Sequence, residues 1–124
     1  MKIFIKFLFI ISFGLSQSVN ISVDKNKVSI NETIIFSIEV KNSESFASFD
    51  ENSLKKDFII ISGPSQQTNI QWINGKMTSS KTMSWTLSPK RLGKLIIPSL
   101  DISVDRKNFK GKPIVIIVTK SLDN

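Results

Sequence analysis

Asp101 and Asp105 stand four residues apart in the alternating stretch Leu100-Asp101-Ile102-Ser103-Val104-Asp105, and on a strand both would face outward. A carboxylate pair can do acid–base work or hold a divalent cation. No third ligand and no glycine-rich calcium loop accompanies them, so a solvated strand face is the favoured reading. Asp50-Glu51 is equally thin as a calcium signal. Ser79-Ser80-Lys81 invites comparison with a serine–lysine dyad. Neighbouring strand residues project to opposite faces, and Ser79 and Lys81, on one face, stand about 7 Å apart at the backbone. His, Cys and Tyr are all absent. That removes the usual general base, the commonest metal ligand, the thiol nucleophile and any disulfide. The expectation is a non-enzymatic protein with no catalytic residue, no metal and no cofactor.

The elements that carry these residues read as strands. Val19–Val23 alternates, as does Ile34-Phe36-Ile38-Val40 against Ser37, Glu39 and Lys41, with Thr33 opening that face and Ile35 the exception. Asn42–Lys56 is irregular and reads as a connection between sheets, with room for one helical turn and with Phe46 and Phe49 pinning it to the core rim. Asp57–Ser62 is a short apolar strand that Gly63-Pro64 should end. Gln66–Ile73 is the next strand. Asn74-Gly75 is the pair that type I′ hairpins favour, and Lys76–Leu87 is the return strand. Met83, Trp85 and Leu87 alternate inward, so Trp85 belongs to the core. Pro89 ends that strand, Lys90-Arg91-Leu92-Gly93 is a turn, and Lys94-Leu95-Ile96-Ile97-Pro98 enters the next strand, with Pro98 suited to an edge or bulge. Asp105–Asn108 turns the chain once more, and Ile114–Val118 is the last strand. Seven to eight strands with turn signals between them predict an all-β fold, an immunoglobulin-like or fibronectin-like β-sandwich.

Within that frame the hairpin holds the candidate partner surface: Trp72, Thr78, Ser80 and Thr82. A strand of small polar residues next to a hairpin tip can offer its backbone edge to a partner, although a plain solvent-facing ribbon is the simpler reading. Trp72 could be an open platform for a sugar or peptide. Packing with Ile70 in the core is favoured over it.

The first sixteen residues read as a secretory signal rather than as part of the fold. Lys2 and Lys6 are basic, Phe7–Phe13 is a short apolar core, and Gly14-Leu15-Ser16 sets small residues before a cut at Gln17. Residues 17–124 then form one domain, located in the periplasm or elsewhere in the cell envelope. Without Lys2 and Lys6 the 17 basic residues fall to 15 against 10 acidic ones, a net charge of +5. The basic clusters at Lys90-Arg91…Lys94 and Arg106-Lys107…Lys110…Lys112 sit at predicted turns. Phe109 alone interleaves with them, so no nucleic-acid partner is expected. Asn20-Ile21-Ser22 and Asn31-Glu32-Thr33 match the glycosylation sequon at a level that chance explains.

The order of the pieces adds something that composition lacks. Ser62-Gly63-Pro64-Ser65, then Ile73-Asn74-Gly75-Lys76, then Leu87-Ser88-Pro89…Gly93…Ile97-Pro98, then a final strand after Lys112-Pro113, follow one another along almost the whole exported chain. In this order they resemble the first domain of the BatD, or oxygen-tolerance, family of bacterial envelope proteins. The resemblance implies an exported sandwich without catalysis. It also implies protein partners with von Willebrand A domains and a link to aerotolerance and stress resistance. Relatives of this kind are several times longer and carry a transmembrane helix, so membrane anchoring is not carried over to a chain that stops at Asn124. The alternative expectation is a carbohydrate-binding or adhesin-like sandwich using Trp72 or Trp85.

Overall fold

A computed structural model describes residues 17–121, which leaves the expected signal at residues 1–16 outside the described residues. The described residues are all-β, a sandwich with one short 3-10 turn among them at Glu51–Leu54. Nine strands run in order: β1 Ser18–Val23, β2 Lys27–Ser29, β3 Ile34–Lys41, β4 Phe58–Ile73, β5 Lys76–Pro89, β6 Gly93–Ile97, β7 Asp101–Val104, β8 Lys107–Lys110 and β9 Ile114–Thr119. One sheet has the order β1-β3-β5-β4; the facing layer is built from β2-β9-β6 and the β7-β8 hairpin. Among the described residues no helix is long and apolar enough to cross a membrane.

The strand count exceeds the expected seven to eight, and the boundaries differ in two places. Gly63-Pro64 does not end a strand. It lies inside the 16-residue β4, at register irregularities between Ile60 and Ser65. Partway along, β4 takes in extra residues against β5, and the strand resumes instead of turning. Lys107–Asn108, expected in a turn, instead opens β8. The two-residue turn before it is Asp105-Arg106, both at positive φ. That geometry needs no glycine where Asp tolerates the left-handed region.

The core follows the period-2 alternation. Ile34, Phe36, Ile38 and Val40 of β3 and Met83, Trp85 and Leu87 of β5 are buried, and they meet Leu95, Ile97, Ile102, Val104, Ile116 and Val118 of the other layer. Trp85 is the centre of an aromatic group. Its ring lies 5.7 Å from Phe36 and 5.1 Å from Phe49, the second at an edge-to-face angle of 81°. Phe49 thus ties the irregular 42–57 segment to the sheet, as its sequence position suggested. Offset and edge-on rings of this kind add to what area burial alone supplies.

Two carboxylates fasten the layers, and the sequence did not single out the first. Asp57 is buried where the chain enters β4. One oxygen accepts from the Ile96 N–H and the other from Arg91 Nη2, both at 2.8 Å. The Ile96 hydrogen bond, more than the Arg91 guanidinium, holds this carboxyl below its ordinary value of 3.8, against the opposing effect of burial. A lowered native value means that the unfolded chain takes up the proton first. The stabilisation is therefore complete above 3.8 and is lost as pH falls through the lower native value. Asp57→Asn should cost about 1–3 kcal/mol at neutral pH. Denaturant titrations between about pH 5 and pH 2 should show a shallower loss of stability in the variant than in the parent.

Candidate interaction surface

The paired acids of the sequence do not form a pair. Asp101 is exposed on β7 and meets Lys110 at 3.6 Å, whereas Asp105 sits in the turn beyond the strand. Asp105 instead organises a loop. Its oxygens accept from Gln17 Nε2 and the Glu44 N–H at 2.8 Å, and from the Ser45 N–H at 3.1 Å and Ser45 Oγ at 2.6 Å. Ser45 Oγ is the main cause of a carboxyl held below its ordinary value. Asp50 caps the short 3-10 turn by accepting from the Asn52 N–H at 3.0 Å. Among the described residues no three acidic side chains converge as a cation site would require. Lys81 Nζ donates to the Ser43 carbonyl at 2.7 Å, so that lysine is committed to holding the 42–46 loop. Arg91, from the first basic cluster, is the partner of Asp57.

The expected turn residues are distributed as follows. Asn74 and Gly75 form the two-residue turn between β4 and β5, at φ 52° and 78°. Pro89 is the last residue of β5, Gly93 the first of β6 at φ 105°, and Pro98 follows β6 directly. Gly63, at φ 119°, and Pro64 belong to the irregularity inside β4.

The long hairpin makes the most conspicuous surface. β3 pairs with β5 only as far as Lys41 opposite Ser80. Asn42 extends the contact by one residue, its N–H donating to the Ser79 carbonyl at 2.9 Å and its Oδ1 accepting from the Ser79 N–H at 3.4 Å; beyond it β4 and β5 run on as a two-stranded arm. Trp72 stands opposite Met77 and Ile70 opposite Ser79. All three large apolar side chains lie on the side that, further down, forms the core. Trp72 is nevertheless 72% exposed, Ile70 59% and Met77 55%. This corrects the core reading of Trp72 with Ile70. The inward alternation is kept, but no strand of the second layer lies beneath the arm. Trp85, by contrast, is buried, which excludes it as a binding platform.

The four residues expected to form one partner surface are divided between two faces. Thr78 is opposite Gln71, Ser80 opposite Asn69 and Thr82 opposite Gln67, all on the outer side, away from Trp72. There Thr78 and Ser80, but not Thr82, border a shallow groove of about 330 Å³, whose walls also include Glu39, Lys41, Asn69 and Gln71. Ile73, 52% exposed, also lies on this side. The arm thus has an apolar face, a polar face and a tip with large apolar residues on both sides. Sequence reasoning missed the free β4 edge, because that strand was read as two pieces. The absence of charge from Phe58 to Ile73 was the available signal.

No curated protein and no solved structure matches the chain. A family model described as "BatD DUF11 like domain" matches residues 21–118, from within β1 to the penultimate residue of β9. The turn and strand-edge signals from Ser62 to Pro113 fall inside that span. The chain therefore belongs to the BatD family.

Proposed function

We propose that the chain is a non-catalytic, exported module of the bacterial cell envelope that binds a protein partner through the β4–β5 arm. The partner class is an envelope protein with a von Willebrand A domain, and the physiological setting is aerotolerance and stress resistance, as the family implies. The observation that carries this reading is the exposure of Trp72, Ile70 and Met77 together on one side of a ribbon that projects past its own core. Large aromatic and apolar side chains grouped in this way are what binding hot spots are made of. The missing histidine and cysteine, with no converging acids among the described residues, support a binding role over a catalytic one.

Trp72 also favours a second reading, a sugar platform, since an exposed indole can stack on a pyranose ring. The polar groove that would hydrogen-bond the sugar lies on the other face of the arm. The protein reading accounts for both faces; the sugar reading uses one. Capture from envelope extracts separates them. The full chain should retain a von Willebrand A protein. A variant with Ile70–Ser79 replaced by Asn-Gly, which leaves the Asn69–Ser80 pair to flank the new turn, should retain about tenfold less or lower still. Equal retention by both would overturn the assignment. Glycan-array binding abolished by Trp72→Ala would establish the sugar reading instead.

A further inference from the structure

Among the described residues every sheet edge except one is short, covered or charged. β2 has three residues and β6 has five, one of them Lys94. β8 carries Lys107 and Lys110. The β1 edge is approached by the 110–114 segment, close enough that Gly111 faces the Ile21 side chain and a Cβ there would collide with it. These are the usual devices that stop sheets from pairing edge to edge. β4 is different. It is the open edge of the four-stranded sheet, 16 residues long, and holds no Lys, Arg, Asp or Glu. Its only interruption is the irregularity that ends at Ser65, so Ser65–Ile73 pairs with β5 without a break, exposed throughout.

We propose that the distal half of β4 pairs antiparallel with the same strand of a second copy, making a two-fold dimer with one continuous eight-stranded sheet. The choice of occupant rests on charge and pattern. A strand with no charge meets itself without like-charge repulsion. The residues flanking a two-residue turn exchange hydrogen bonds, so Ile73 bonds to Lys76, and the alternate residues Gln66, Thr68, Ile70 and Trp72 turn their N–H and C=O groups to the free edge. With Gln71 on the two-fold axis, Ile70 of one copy lies opposite Trp72 of the other, twice over. Both exposed side chains then pair across the axis on one face, with Met77 beside each Trp72. Ile73 meets Asn69 on the other face, and no charged residue of β4 is confronted because none exists. Ile70, Trp72 and Met77, on one face, amount to a patch on the order of 400 Å² per copy, the size that marks an interaction surface. That is small for a permanent dimer, so the affinity belongs in the micromolar range.

The proposal goes beyond the envelope-partner reading and is tested without it, on the purified protein alone. Sedimentation equilibrium should show a reversible monomer–dimer step. Fluorescence should shift to the blue as concentration rises, because Trp72 is exposed and Trp85 is already buried. Ile70→Lys should weaken the dimer about tenfold or more, since it sets a charge at both symmetric pairs. An unchanged circular-dichroism spectrum would show that the variant still folds, as expected for a side chain outside the core. Hydrogen exchange of the Ile70 and Trp72 amides should slow with concentration in the parent and not in the variant. A protein that stays monomeric up to about 1 mM, or a dimer indifferent to Ile70→Lys, would overturn the proposal.

Discussion

Trp85→Ala is expected to cost the domain about 3–5 kcal/mol, enough to unfold a sizeable fraction of a marginally stable protein. The side chain is buried on the central strand β5 and touches three parts of the chain at once: Phe36 on β3, Phe49 from the irregular connection, and the β4 backbone at Gly63. Truncation removes a large buried apolar area and leaves a cavity. β3 and β5 are locked in register from Ile34–Leu87 to Lys41–Ser80, so their backbones cannot close in to fill it. Calorimetry should show a melting temperature lower by on the order of 15 °C. The irregular 42–57 segment should loosen first, since Phe49 loses the ring against which it stands edge-on. Trp72→Ala, on the exposed arm, should leave the melting temperature almost unchanged. The two tryptophans therefore divide between stability and surface.

Gly63→Ala should be comparably severe for a different reason. Gly63 has φ of 119°, a conformation that residues with a Cβ rarely adopt. A Cβ there would lie 2.8 Å from the Ser84 carbonyl oxygen and 2.9 Å from the Trp85 Cα. Both are backbone atoms of the central strand, which is hydrogen-bonded on both sides and has no slack. The strain of the backbone and the overpacking together should cost about 3–5 kcal/mol. Gly75→Ala is the control. Gly75 also has positive φ, 78°, but nothing lies within 4 Å of the site. Only the left-handed backbone penalty applies there, about 1–2 kcal/mol. Denaturant midpoints of the two variants, measured side by side, separate the steric part of the Gly63 effect from the conformational part.

The contrast between these glycines shows what the sequence could convey. Asn74-Gly75 is a local turn, and its spacing from Trp85 was enough to orient the whole of β5. Gly63-Pro64 has the composition of a turn but is used inside a strand. Trp85 must approach β4 closely, and only a residue without a side chain leaves room. That requirement comes from a residue 22 positions away, across the sheet. The same distinction applies to the tryptophans. Alternation gave the inward side correctly for both. Whether an inward side is covered depends on how far the opposite layer extends, and β2, β6 and β9 are too short to reach under the arm. Asp57 and Asp105 were opaque for a related reason. Their partners, Ile96 and Ser45, lie 39 and 60 residues away. An isolated aspartate beside a strand does not indicate which amides it will meet.

If the arm is the binding surface, site-specific photo-cross-linking in intact cells tests it most directly. A photoreactive residue at Met77 or at Thr78 samples one face of the arm each, and one at Ile96, exposed on the second layer, serves as reference. The account predicts adducts with a von Willebrand A envelope protein from the arm positions and none from Ile96, with any adduct to a second copy distinguished by its mass. Adducts from Ile96 without any from Met77 or Thr78, or no adduct to an envelope protein from any of the three, would contradict it.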